Sequence, residues 1–182
     1  MKQSLGMIEV VSIPAGIEAG DAMLKAASVE LVTAQAACAG KYIIVVSGDV
    51  AAVEASVKAG RETAAMKLID SLVIPNIDPQ VPIAINMCSE VGEIGTLGVM
   101  ETFSLCAAVI AADAAVKAAS VRLIEVRLGR GLGGKSFITL TGDVVAVESA
   151  VKAARELKEV AGLMSESVVI PSPHPDIVRA ML

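Results

Sequence analysis

The chain has 182 residues, of which 54% are hydrophobic, and it carries a formal net charge of −5 at pH 7. A nucleic-acid partner requires a basic face, so this acidic balance argues against DNA or RNA binding. The uncharged run Thr102–Ala112 is much shorter than the ~20 residues that a membrane-spanning helix needs, and the first residues lack the apolar core of a signal peptide. We therefore expect the excess apolar side chains to be buried in a core or between subunits.

The first half of the chain predicts a strand, a helix, a hairpin, a second helix and a last strand, in that order. The apolar pattern places the first strand at Leu5–Ser12 and the first helix at Gly16–Ala27. A β-branched run, typical of a strand, leads out of a loop of small residues around Cys38. Asp49 is expected to cap the next helix, and the last strand spans Leu68–Ile74.

The second half repeats the first. The segment GDAMLKAASVELV (Gly20–Val32) returns as ADAAVKAASVRLI (Ala112–Ile124), and Lys41–Glu62 returns as Lys135–Glu156. A period of about 90 residues is the size of a small domain, so the pattern indicates a tandem duplication. We place a first domain, with its linker, at residues 1–91 and a second at residues 92–182. The order βαββαβ in each copy predicts an α/β fold, an α+β sandwich with ferredoxin-like content.

Three cysteines, Cys38, Cys88 and Cys106, are an odd number and do not indicate a disulfide framework. A reducing compartment fits this usage best. A lone thiol on the Cys38 loop cannot hold a metal by itself, but several copies of the chain could meet there. From the residues alone, a free thiol that behaves as a small apolar group and a ligand shared between copies both remain open for Cys38. Cys88, in the linker, and Cys106, early in a helix, are expected to be core or surface thiols.

Four segments, LGMIE, DAMLKAASV, KYIIVVSGDV and SLVIP, occur in this order, and each recurs in similar form in the second half. On these motifs the chain resembles the bacterial microcompartment shell domain twice, along nearly its whole length. The resemblance implies a protein without enzymatic activity that forms a homotrimer, a pseudohexameric tile that mimics the hexamers of single-domain members. It also implies edge-to-edge contact with other shell proteins, in a microcompartment shell in the bacterial cytoplasm. An enclosed redox enzyme is a further candidate partner.

A subgroup of tandem members has a Cys-Pro-Gly-Lys loop in its first domain, and this chain has Cys38-Ala39-Gly40-Lys41, without the proline. The resemblance implies that Cys38 from each chain of the trimer ligates one shared 4Fe–4S cluster at the central pore, which would pass electrons, or a cluster, across the shell. Thiolates are the ligands that cluster iron requires. The residues expected to form the pore loops are Ala37, Ala39, Gly40, Arg130, Gly131, Gly133 and Gly134. For Arg130, a position that simply faces solvent is the alternative.

Lys25 and Lys117 occupy equivalent places in the two copies and match the lysine that packs at the tile edge in the family. An ordinary solvated helix lysine is the alternative at each position. The segment GRGLGGKS (Gly129–Ser136) satisfies the phosphate-loop pattern, but that mechanism needs a helix that begins at the Lys-Ser pair. Since the continuation predicts a strand, we expect a Gly-rich hairpin loop and no nucleotide site.

Glu9 and Glu101 recur inside apolar strands, where they are expected to be structural carboxylates, since no base or nucleophile stands in register with them. The single histidine, His174, is expected to be a turn residue. Two other functions remain open. One is a shell tile whose central opening passes metabolites without a metal. The other is a small-molecule sensor or enzyme built from tandem α/β domains.

Overall fold

The computed structural model describes residues 3–90 and 92–181. The chain forms two compact units. The first contains the described residues up to Pro82 together with Gly129–Gly134, and the second contains Ile83–Leu128 and the described residues from Lys135 onward. The predicted boundary at residues 91 and 92 involves Val91, which lies outside the described residues, and that boundary stays a prediction.

The first unit has the predicted order of elements. They are β1 (Ser4–Val10), α1 (Ile13–Ala26), β2 (Glu30–Ala37), β3 (Lys41–Gly48), α2 (Val50–Ala64) and β4 (Leu68–Ile74). The sheet order is β2-β3-β1-β4, and the paired strands are antiparallel. The prediction of an α/β unit with βαββαβ order is therefore confirmed.

The second unit repeats this arrangement. Its elements are β5 (Thr96–Thr102), α4 (Leu105–Ala118), β6 (Val121–Leu128), β7 (Ser136–Gly142), α5 (Val144–Glu156) and β8 (Met164–Ile170), and the sheet order is β6-β7-β5-β8. Three short helices complete the described chain: α3 (Gln80–Ile85), α6 (Lys158–Ala161) and α7 (Pro175–Met181). The sequence pattern did not predict α3. Within the described part of the chain, every helix is too short or too polar to cross a membrane.

Small residues let the helices of the first unit approach the sheet closely. A Cβ atom added at Gly6 of β1 would lie 2.6 Å from Val57 Cγ2 and 2.7 Å from Val53 Cγ1, both on α2. A Cβ atom added at Gly60 would lie 2.6 Å from Met23 Cγ on α1. Interiors are packed at crystal density, so these glycines set the spacing between α1, α2 and the sheet.

Two local details refine the sequence predictions. Helix α1 begins at Ile13, three residues before the predicted Gly16, because Ser12 has an extended backbone and Pro14 is preorganised for the first turn. Asp49 does occupy the N-cap position of α2, and its carbonyl oxygen accepts from the Val53 N–H at 2.9 Å. The predicted N-cap residue is therefore confirmed, although the Asp49 side chain makes no capping hydrogen bond.

Candidate functional site

Cys38 lies at the turn between β2 and β3. Strand β2 ends at Ala37, and a short turn over Cys38–Gly40 leads into β3. The turn requires a positive φ at Ala39, 61°, and at Gly40, 72°. The φ of proline is fixed at about −65°, so proline could not occupy position 39 in this conformation. The alanine that replaces the expected proline therefore permits this turn.

Two hydrogen bonds join the Cys38 turn to the Gly129–Gly134 loop within the first unit. The Cys38 N–H donates to the Gly129 carbonyl oxygen at 2.7 Å. In return, the Leu132 N–H donates to the Cys38 sulfur at 3.3 Å. The sulfur of this half-buried residue is thus held by a segment far along the chain, a contact that sequence analysis did not anticipate.

The loop also favours the charged form of the thiol. Hydrogen bonding from the Leu132 backbone N–H lowers the pKa of Cys38, and the amides of Gly134, Gly133 and Gly131 lower it further, against a smaller opposing effect of burial. Thiolate sulfur is the form that binds iron and other soft metals. The local environment of Cys38 is therefore chemically suited to a metal ligand.

The glycines of this loop are required by its backbone. Gly129, Gly131, Gly133 and Gly134 have φ values of 65°, 70°, 61° and 94°, in the region that other residues rarely adopt. A Cβ atom added at Gly131, Gly133 or Gly134 would meet nothing within 4 Å. The Cβ positions of these three glycines therefore face open space, and their positive φ, not crowding, is what favours glycine there.

A single chain supplies one sulfur at this site. Across residues 3–90 and 92–181, no three His, Cys, Asp or Glu side chains gather into a group that could hold a metal ion. Cys88 is exposed and Cys106 is buried in α4, as expected for surface and core thiols, and none of the three cysteines, all within the described residues, forms a disulfide. The donor chemistry at Cys38 fits an iron–sulfur cluster only if several chains contribute to it.

The carboxylates predicted to be structural are each paired with the lysine that follows a hairpin loop. Glu9 Oε1 lies 2.6 Å from Lys41 Nζ, and Glu101 Oε2 lies 2.7 Å from Lys135 Nζ. The side chain of Glu9 is only 2% exposed, whereas that of Glu101 is 36% exposed. The Lys135 ammonium lowers the pKa of Glu101, and the Ser165 hydroxyl adds to this effect. Each copy thus has an equivalent Glu–Lys ion pair, and the pair is much more buried in the first copy than in the second.

A family model described as the BMC domain matches residues 4–77 and again residues 96–173. The chain belongs to the BMC-domain family of bacterial microcompartment shell proteins. It is 42% identical over 182 residues to the bacterial microcompartment shell protein PduT of Citrobacter freundii, covering 100% of this chain and 99% of that protein.

Two solved structures agree with this assignment. A microcompartments protein from Desulfitobacterium hafniense DCB is 50% identical, with a TM-score of 0.94 over 98% of this chain and 99% of the other. The fused permuted hexameric shell protein MSM0275 from the RMM microcompartment is 24% identical and has a TM-score of 0.63 over 88% of this chain and 82% of the other, which supports the fold. The tandem-BMC prediction is confirmed, and the chain is a structural shell protein of the PduT type.

The BMC fold places the two predicted tile-edge lysines at the C-terminal ends of equivalent helices, α1 and α4. Lys25 Nζ lies 2.5 Å from Asp21 Oδ2, and Lys117 Nζ lies 2.5 Å from Asp113 Oδ2. The i,i+4 spacing and the helix dipole both favour such pairs. Their role in tile contacts stays a prediction.

The predicted pore-loop residues fall in two segments of the first unit. Ala37, Ala39 and Gly40 flank Cys38, and Gly131, Gly133, Gly134 and the exposed Arg130 lie in the loop that contacts it. The structure brings these segments together, whereas their position around a pore stays a prediction.

Two of the remaining motifs behave as expected. The Lys135-Ser136 pair leads into strand β7, so the GRGLGGKS segment has no helix behind it and lacks the phosphate-loop architecture. His174 lies in the exposed turn before α7, where its Nδ1 accepts from the Asp176 N–H at 3.2 Å.

Proposed function

We propose that this chain forms a homotrimeric shell tile in which Cys38 of each subunit ligates one shared 4Fe–4S cluster. The observation that carries the proposal is the environment of the Cys38 sulfur, which receives the Leu132 N–H at 3.3 Å and is favoured as a thiolate. Cluster sulfurs and their cysteine ligands are commonly stabilised by such amide donors. The full-length similarity to a PduT shell protein supports the same assignment.

Symmetry supplies the missing ligands in this proposal. One chain offers a single Cys38, so a three-fold axis through the turn would bring three thiolates together, and the fourth iron would keep a non-protein ligand. When bound, the cluster would accept and release single electrons. The small residues Ala37, Ala39 and Gly40 leave the sulfur accessible at the turn. In the shell of a microcompartment in the bacterial cytoplasm, such a tile would pass electrons, or a cluster, between the two sides.

The tile itself follows from the duplication. Two BMC domains per chain, in a trimer, would give the domain number of a hexagonal tile. Such tiles would pack edge to edge with other shell proteins, through Lys25 and Lys117, and an enclosed redox enzyme would be the electron partner. The chain would act as a structural and electron-transfer component and not as an enzyme.

The test is a comparison of anaerobically purified wild-type protein with the Cys38→Ser variant. We expect about four iron atoms and four acid-labile sulfides per wild-type trimer, with absorbance at about 400 nm, and we expect Cys38→Ser to lack the iron, the sulfide and this absorbance. Light scattering is expected to give a trimer for both proteins. Cys88→Ser, which removes an exposed thiol elsewhere, is the matched control and should retain the cluster. Unchanged absorbance in Cys38→Ser would refute the ligand assignment.

An open, metal-free pore for metabolites is the second candidate. The observation that favours it is the open space beside Gly40, Gly131, Gly133 and Gly134. Wild-type trimer without iron or sulfide under anaerobic conditions would select this candidate. A small-molecule sensor or enzyme is disfavoured by the family assignment, and sheet formation by the purified protein would count against it further.

A further inference from the structure

The GRGLGG segment (Gly129–Gly134) lacks the architecture of a nucleotide site, but its backbone has the conformation of an anion-binding loop. Four of its six residues have φ between 61° and 94°. Backbones of this kind turn successive N–H groups toward one concave side, and such concavities bind phosphates and iron–sulfur sites. What lies on that side here is the Cys38 sulfur.

The contact is specific in direction. The Leu132 N–H donates to the sulfur at 3.3 Å, while the Gly129 carbonyl at the start of the same loop accepts from the Cys38 N–H at 2.7 Å. The turn and the loop are therefore joined by two hydrogen bonds, one donated by the turn and one donated by the loop. Gly131 and Gly133, which flank Leu132, both have positive φ, so the N–H that donates to the sulfur belongs to this concave backbone.

We propose that the Gly129–Gly134 loop is a backbone nest that holds the Cys38 sulfur and, through the Leu132 N–H above all, raises the reduction potential of a cluster bound there. The second part of this inference rests on the proposed function. Reduction adds one electron from a one-electron donor, and no proton, so negative charge at the Cys38 sulfur increases. Amide dipoles with their positive ends at the sulfur stabilise the reduced state more than the oxidised state.

Leu132 is the residue at which this role can be isolated. It has no positive φ, unlike its glycine neighbours, so a proline substituted there removes the N–H without requiring a left-handed φ, which proline cannot adopt. The preceding Gly131 has no Cβ, so one of the two clashes that proline makes with its preceding neighbour is absent. Leu132→Ala removes the side chain and keeps the N–H, and it is the matched control.

The first measurement is the midpoint potential of the anaerobic trimer. It is determined by redox titration, with the EPR signal of the reduced protein as the readout. We expect Leu132→Pro to lie about 59 mV below the wild type, a tenfold shift in a one-electron equilibrium, and Leu132→Ala to match the wild type. A loaded Leu132→Pro trimer with the wild-type potential would overturn the inference, as would an equal shift in Leu132→Ala.

The second measurement needs no cluster and covers the case in which Leu132→Pro fails to assemble. Amide hydrogen exchange at Leu132 is compared between metal-free wild type and Cys38→Ala, which removes the sulfur acceptor. We expect exchange about fivefold faster in Cys38→Ala, and equal rates would overturn the nest. If the wild type binds no iron, the proposed function fails, whereas this exchange experiment still decides whether the loop holds the sulfur.

Discussion

The buried ion pair of the first copy provides the sharpest test of the packing described here. Lys41→Met removes the ammonium that faces Glu9 and keeps most of the apolar stem. The Glu9 carboxylate, 2% exposed, would then lose the partner that lies 2.6 Å away. A buried charge without a partner is far more costly than a missing surface pair. We therefore expect a large loss of stability in the first unit.

The expected magnitude follows from burial. Removing one partner of a buried pair costs about 3–5 kcal/mol, and we expect about 3 kcal/mol because Lys41 itself is 22% exposed. In the second copy, the side chains of Glu101 and Lys135 are 36% and 38% exposed, so Lys135→Met should cost about 1 kcal/mol or less. The difference of about 2 kcal/mol corresponds to a factor of roughly 30 in the ratio of folded to unfolded protein.

The chain offers a spectroscopic probe for the first unit. Tyr42, the only tyrosine in a chain without tryptophan, follows Lys41 directly, so tyrosine fluorescence during urea unfolding reports this region. Amide hydrogen exchange followed by mass spectrometry compares peptides of β1 and β3 with those of β5 and β7 at one protein concentration. Lys41→Met should lose protection in β1 and β3, whereas Lys135→Met should change β5 and β7 little.

The double variant Glu9→Gln/Lys41→Met removes the unpaired charge as well. Because a neutral amide is cheaper to bury than a carboxylate, this variant should recover part of the stability lost in Lys41→Met. Equal losses in Lys41→Met and Lys135→Met, or no recovery in the double variant, would refute the reasoning from burial.

Two further predictions address the tile edge and the core. Lys25→Ala and Lys117→Ala should abolish ordered sheets in negative-stain electron microscopy while light scattering still gives a trimer, and the exposed helix lysine variant Lys58→Ala should form sheets normally. Gly6→Ala should lower the free energy of unfolding, measured by urea titration, by about 1–3 kcal/mol, because the added methyl would lie 2.6 Å from Val57 Cγ2. Gly162→Ala is the control and should change the free energy of unfolding little, because the added methyl would have nothing within 4 Å.

Local pattern was enough to predict most of the fold. The strand at Leu68–Ile74 was predicted with its observed bounds, and each copy shows the predicted βαββαβ order. These features depend on residues close together in the chain, since helical and strand periodicity are read over a few turns. The β-bulges next to Glu9 and Glu101 were not predicted, because a bulge depends on how a strand pairs with its neighbour.

The candidate site was predicted only in part. Cys38 and the small residues around it were identified from the turn and from the family resemblance. Gly129–Gly134 was predicted to be a Gly-rich hairpin loop whose residues join the Cys38 turn around the pore, but no hydrogen bond from this loop to the sulfur was predicted. The sequence pattern of the Cys38 turn and of Gly129–Gly134 does not predict a hydrogen bond between them, although the run of glycines indicates an unusual backbone.

The amino-acid sequence by itself determined the duplication, the order of elements and the family, because these can be predicted from local hydrophobic periodicity and from motifs that recur in both halves. Only the tertiary structure decided what surrounds the Cys38 sulfur and which carboxylate is buried. Leu132 and Cys38 are 94 residues apart in the chain, and Glu9 and Glu101 occupy equivalent positions in the two copies but differ in exposure. Contacts over such separations arise when packed elements bring distant segments together, so neither hydrogen bonding nor burial at these residues follows from their neighbours in sequence.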